Sequence, residues 1–234
     1  MVAVVGVSAP RLAAEGVDFR YPGTRELIVQ DWTQGFSAGQ VTALTGPSGC
    51  GKSTRLYLLA LMVRLSAGSV LLDGRRVDDR SDAARSRVRA SRFGFVFQDA
   101  ALDPSRSVLD NVLEAALYRG DDPAALVARA EWLLERMQVG VPVRRRPGQI
   151  SGGQAQRIAV CRALVGAPDV IFADEPTGNL DPGSAAAVLG MLREQAEAGA
   201  CVVLVTHDPG IAATADVHVD LPALTQGLVQ EIRA

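Results

Sequence analysis

Apolar positions along this 234-residue chain fall into three regimes, and each predicts a different kind of element. Leu12 to Tyr21, Leu27 to Gln30 and Phe36 to Thr45 are short runs bounded by Pro22-Gly23 and Ala38-Gly39, which predicts strands joined by turns. Ser69 to Leu72 with Asp73-Gly74 adds a strand and a turn, and Phe93 to Phe97 is a short apolar run typical of a buried strand. The spacing then becomes helical. Ser107 with Asp110 makes a capping-box-like start for a helix over Val108 to Tyr118, and Asp122-Pro123 is an N-cap followed by proline at N1. In the helix that follows, Leu126, Val127, Ala130, Leu133, Leu134 and Met137 lie on one stripe, which predicts core packing. From Val170 to Ala173, through a helix over Ser184 to Ala198, to Val202 to Thr206, the pattern becomes strand, helix, strand, as in a parallel sheet with crossover helices.

The run VTALTGPSGCGKST, Val41 to Thr54, changes the picture from fold to chemistry. Gly46, Gly49 and Gly51, with Pro47, Ser48 and Cys50 between them, form a loop whose glycines can take positive φ and aim backbone N–H groups at anionic oxygens. The helix that follows adds the positive end of its dipole, Lys52 reaches β- and γ-phosphates, and Ser53, next to Thr54, offers a hydroxyl to Mg²⁺. Asp174 and Glu175 end an apolar strand, where α/β sheets bind ligands. Asp174 suits the magnesium and Glu175 suits the attacking water. Ser151-Gly152-Gly153-Gln154 opens a helix through Leu164; taken alone it fits an ordinary N-cap as well as a second anion site.

Composition narrows the partners. With 48% hydrophobic residues the chain can bury a core, while a net charge of −2 gives no whole-chain basic field for nucleic acid. The apolar runs Leu56 to Val63 and Val202 to Val205 are far shorter than the roughly 18 residues of a membrane span. Met1 to Val7 lacks a basic leader and is soon followed by Pro10, so a cytosolic location is expected. Cys50, Cys161 and Cys201 show no metal-ligand spacing, and Cys50, inside the loop, is an expected target of thiol reagents. The clusters Arg85, Arg87, Arg89, Arg92 and Arg144 to Arg146 read as solvated faces, with lipid headgroups as the alternative.

GPSGCGKST, Gln98 after its strand, ISGGQAQR, VIFADEPTGNLD and VTHD occur in this order, and together they resemble the nucleotide-binding domain of ABC transporters. The wording ADEPTGNLD looks most like the lipoprotein-release, macrolide-export and cell-division group. The resemblance implies an α/β fold: a P-loop NTPase core with a parallel sheet, an N-terminal antiparallel β part and a helical insertion over about 99–165, all one domain over 1–234. It implies that Tyr21 stacks on adenine, that Gln98 senses magnesium and the attacking water, and that His207 contacts the γ-phosphate. Alone, Tyr21 and His207 would be structural. It further implies that Ser151 to Gln154 of one chain closes over ATP on a second copy, that Gly178-Asn179-Leu180-Asp181 crosses between the two sites, and that a separate integral membrane permease is driven from the inner face of the membrane. The alternative is a soluble non-transport ATPase or a regulatory nucleotide switch. Arg55, Ile150 and Cys161 depart from the usual wording, and Asp99 to Arg106, expected to face the permease, is unusually polar.

Overall fold

Turn chemistry and apolar runs sort the strands into two sheets in the computed structural model, which describes residues 9–223 except Arg25 and Asn179. β1 (Leu12–Phe19), β2 (Val29–Phe36), β4 (Ala67–Leu72) and β5 (Arg75–Arg76) form an antiparallel sheet in the order β2-β1-β4-β5. Leu12 stands opposite both Phe36 and Leu72. Asp73 and Gly74 both take positive φ, the backbone a tight hairpin turn requires. The second sheet is parallel and runs β6 (Phe93–Val96), β7 (Val170–Asp174), β8 (Cys201–Val205), β3 (Val41–Thr45), β9 (Val217–Asp220). Every residue of β7 and β8 is buried, as expected of strands covered on both faces. Its register sets Asp174 and Leu44 each beside Val205, so β3, β7 and β8 end along one edge.

Helices cover these strands: α1 (Lys52–Leu59), α2 (Asp82–Arg92), α3 (Val108–Arg119), α4 (Pro123–Arg136), α5 (Gly152–Leu164), α6 (Pro182–Glu197) and the short α7 (Pro209–Ala212). The capping signals act as the sequence predicts. Ser107 and Asp110 form a capping box on α3, Asp122 caps α4 ahead of Pro123, and Ser151 and Gln154 form a second box on α5. Ala130, Leu133, Leu134 and Met137 of the predicted stripe are buried, packed in a cluster with Val108, Val112, Ile158 and Leu164 of α3 and α5. The other cluster lies between the two sheets and includes Phe36, Leu56, Leu59, Val70 and Phe172.

The structure departs from the sequence expectations at several boundaries. Phe36 closes β2, and the expected strand Phe36 to Thr45 is divided by the turn at Ala38-Gly39, where Gly39 takes φ 77°. β1 ends at Phe19, leaving Tyr21 in a loop, and β2 starts at Val29, two residues after Leu27. Helix α2 and strand β9 had no counterpart in the pattern. α2 conceals itself because its inward positions are arginines: Arg85 is buried, and Arg85 and Arg89 donate to Leu61 O at 2.6 and 2.8 Å. Arg92 pairs with Asp73 and Asp169. Three of these four arginines therefore hold the fold, correcting their reading as a solvated or lipid-facing patch. Met1 to Val7 lies outside the described residues.

Candidate active site

β3 delivers the chain into the glycine loop, and α1 begins immediately after it. Gly46, Gly49 and Gly51 adopt φ 140°, 79° and 83°. At Gly46 a Cβ would stand 2.5 Å from Leu221 O, so no side chain fits there. No side chain caps α1, because its N-cap is Gly51 in the left-handed region. The first N–H groups of the helix are thereby left for an anion. Lys52 curls back over the loop and donates through Nζ to Gly46 O at 2.9 Å and Pro47 O at 3.0 Å.

The acidic pair divides as its positions on the sheet require. Asp174, the last residue of β7, is 2% exposed and accepts from Ser53 Oγ and Tyr57 Oη, both at 3.0 Å. Burial, then the Asp174 charge, push the Tyr57 phenol up to about 12. Glu175 lies just past the strand end with φ 46°, its N–H bonded to Val205 O. That kink turns its carboxylate to His207 beyond the end of β8, with Oε1 and Nδ1 2.9 Å apart. Backbone in the left-handed region costs a non-glycine residue energy, so the neighbouring strand holds a strained geometry here.

A cleft of about 560 Å³ collects Tyr21, Ser48, Gly49, Gly51, Lys52, Ser53, Thr54, Gln98, Glu175, Gly178 and His207. Tyr21 stands half-exposed at its rim, edge-on to Phe19, its hydroxyl 3.2 Å from Thr54 Oγ1. Ser151, Gly152, Gly153 and Gln154 do not line it. Instead Ser151 and Gln154 satisfy each other's backbone N–H at 2.9 and 3.2 Å on an exposed turn. A Cβ on Gly152 would meet nothing within 4 Å, so this chain's own packing does not demand a glycine there.

Two residues that sequence reasoning did not single out for the site support it from beneath. Both lie on α1: Tyr57 donates to Asp174 at the end of β7, and Arg55 donates to the loop carbonyls of Cys50 and Gly51. Cys50 is the reverse case. It is 1% exposed, so the expectation of ready attack by thiol reagents is corrected: the loop folds the thiol inward, against Gly46. Among the described residues no group of three or more His, Cys, Asp or Glu gathers as a metal site. Ser53 and Asp174 offer two hard oxygen donors beside the phosphate loop, a set that fits Mg²⁺ when phosphate oxygens complete its shell.

A parallel sheet, a glycine loop entering a helix at Lys52-Ser53, and an acidic pair at the end of the second strand away define a P-loop nucleoside triphosphatase. Residues 29–178 match the ABC transporter family, and the chain belongs to it. It is 42% identical to the probable export ATP-binding/permease protein MacB of Pseudomonas entomophila over 209 residues, which cover 88% of this chain and 31% of that protein. The chain thus spans about a third of MacB. It is 41% identical to the lipoprotein-releasing system ATP-binding protein LolD of Shewanella denitrificans, covering 78% of this chain and 79% of that one. A solved dimeric bacterial ABC transporter cassette superposes with TM-score 0.82 at 29% identity, covering 90% of this chain and 94% of that one. A dimeric post-hydrolysis cassette bound to ADP and phosphate superposes with TM-score 0.80 at 27% identity, with the same coverage. These relatives bear out the expected fold, family and MacB- and LolD-like group.

Proposed function

We propose that the chain binds MgATP, pairs head to tail with a second copy over the nucleotide, and drives an integral membrane permease from the inner face of the cell membrane. The observation that carries this reading is the single cleft shared by Lys52, Ser53, Gln98, Glu175 and His207. Lys52 exchanges the loop carbonyls it now holds for phosphate oxygens. Ser53 and Asp174 hold Mg²⁺, which neutralises phosphate charge when bound. Glu175 orients the attacking water and takes its proton, and His207 fixes the Glu175 carboxylate and reaches toward the γ-phosphate. Gln98, on the loop after β6, follows the state of that phosphate. Tyr21 presents its ring to adenine.

The second copy is needed because Ser151 to Gln154 lie away from this cleft. Their helix N-terminus is exposed and the space beside Gly152 is open, which suits closure over an anion held by another chain. The related solved cassettes are dimers. Residues 1–234 then act as one domain, with α3 to α5 as the helical insertion over about 99–165. Among the described residues no helix is long and apolar enough to cross a membrane. The docking place of the permease is a cleft of about 650 Å³ between α2, β6 and α3, with Met62 and Tyr118 exposed on it and Phe97, next to Gln98, in its wall.

Size-exclusion chromatography of Glu175→Gln with and without MgATP tests the reading. A shift from monomer to dimer on adding MgATP supports it; an elution volume indifferent to the nucleotide overturns the pairing.

A further inference from the structure

The fourth residue of α1, Arg55, puts a cation where an aliphatic side chain would bury without penalty. It is 6% exposed, wedged between the phosphate loop and β2. Removing a guanidinium from water is costly unless partners replace the solvent. Among the described residues no carboxylate pairs with it, and burial pulls the guanidinium below its ordinary pKa, with the neighbouring Cys50 acting in the opposite direction. Nη1 donates to Cys50 O at 2.7 Å and Gly51 O at 3.4 Å, the cation stands 5.5 Å over the Trp32 ring, and Nε has no partner among the described residues.

Both acceptors are phosphate-loop carbonyls, and the described peptide bonds are trans. In a trans unit C=O and N–H point in opposite directions. Drawing Cys50 O down to Arg55 therefore turns the Gly51 N–H away from it; the Gly51 carbonyl, which accepts the Arg55 backbone N–H at 2.9 Å and the longer guanidinium contact, turns the Lys52 N–H away likewise. Gly51 and Lys52 both line the nucleotide cleft, whereas Arg55 does not. A cation on the carbonyl also polarises the peptide and strengthens its N–H as a donor. The left-handed Gly51 makes the approach possible, since a Cβ there would stand 3.0 Å from Nη1.

We propose that Arg55 is a positioning residue for nucleotide binding, which holds and polarises the Cys50–Gly51 and Gly51–Lys52 peptide units so that their N–H groups face the phosphate chain. The proposal rests on the loop being the phosphate site, and Lys52→Ala tests that premise separately. The full chain is compared as wild type, Arg55→Met, Arg55→Lys and Lys52→Ala. Binding of inorganic triphosphate and of ATP, the thermal midpoint without nucleotide, and the ¹⁵N–¹H amide shifts of Gly51 and Lys52 are measured.

Arg55→Met should weaken triphosphate and ATP by the same factor, about five- to thirtyfold for loss of a charge-assisted clamp, without lowering the nucleotide-free midpoint. The Gly51 and Lys52 amide resonances should move upfield, and Arg55→Lys should fall between wild type and Arg55→Met. Triphosphate affinity lost in Lys52→Ala but kept in Arg55→Met overturns the role of Arg55 alone. Affinity kept in Lys52→Ala overturns the premise. Should Arg55→Met fail to fold, unshifted amides and unchanged affinity in Arg55→Lys overturn the proposal.

Discussion

Glu175 Oε1 lies 2.9 Å from His207 Nδ1, joining the ends of β7 and β8 through their side chains. The carboxylate is sheltered, with its side chain 14% exposed, while the imidazole is 74% exposed. One group is thus held for chemistry and the other left free to meet what enters the cleft. Glu175→Gln should keep MgATP binding and lose turnover by about 10²- to 10⁴-fold, the usual cost of a missing general base. Lys52→Ala should lose binding itself. Residual turnover of Glu175→Gln above roughly a third of wild type, in a phosphate-release assay, would remove Glu175 from the role of base.

Tyr57 holds one oxygen of Asp174 and Ser53 the other, so the buried carboxylate has a donor on each side. Tyr57→Phe keeps the ring against Phe95 and deletes only the hydroxyl. It should lower the unfolding free energy by about 1–3 kcal/mol in urea titrations, the range for depriving a buried acceptor of its donor. The pH dependence has a definite sign. A phenol raised from 10.0 to about 12 in the folded chain gives stability that is full below pH 10 and is lost as pH rises toward 12. Tyr57→Phe should flatten that part of the stability curve. An unaltered curve would mean that Tyr57 does not ionise on unfolding in this window.

Much of this site is legible in the sequence because its residues are fixed by local rules. A phosphate loop needs glycines and a lysine at set intervals, and the boxes Ser107 with Asp110 and Ser151 with Gln154 are four-residue devices that fold where they are written. Tyr57 and α2 are illegible because their partners come from far along the chain, Asp174 on β7 for Tyr57 and Leu61 beyond α1 for Arg85; Arg55 takes its acceptors from the loop just before it, but the ring it lies over, Trp32, comes from β2. A polar residue on an inward face carries no periodic signature, so the apolar pattern around α2 looks like a charged surface. β9 is missed because only Val217 and Val219 alternate inward over four residues.

Pairing of two copies should depend on the exposed turn that opens α5. Ser151→Arg places a long cation at a helix N-terminus whose dipole already repels it, and fills the open space beside Gly152. In the Glu175→Gln background it should abolish the MgATP-dependent dimer while leaving ATP binding to the monomer intact. A dimer that persists on size-exclusion would exclude this turn from the interface.

Tyr21 has one proposed role and a geometry that isolates it: the ring is half-exposed at the cleft rim, and among the described residues its hydroxyl hydrogen-bonds only Thr54. Tyr21→Ala should weaken ATP by about 1–3 kcal/mol, the range for a lost base-stacking contact, and leave inorganic triphosphate nearly unchanged. This is the opposite of Arg55→Met, for which the two ligands should weaken together. Equal losses in Tyr21→Ala would assign Tyr21 to the fold.

The permease contact can be tested more sharply than the polar segment Asp99 to Arg106 suggests from sequence. Asp103 is occupied internally, accepting from Ser105 and pairing with Arg106, which also reaches Glu114; charge reversals there would disturb the loop itself. Met62 and Tyr118, by contrast, are 40% and 72% exposed beside the neighbouring cleft, and among the described residues Tyr118 makes only a long hydrogen bond to Glu114. Large apolar side chains left in water at the mouth of a concave surface suit the apolar face of a partner helix. Met62→Glu with Tyr118→Glu should leave basal ATPase of the isolated chain within about twofold, since surface changes away from core and site cost little. In cells the double variant should leave the membrane fraction. Retention at the membrane at the wild-type level, with the isolated chain folded and active, would place the permease contact elsewhere on the surface.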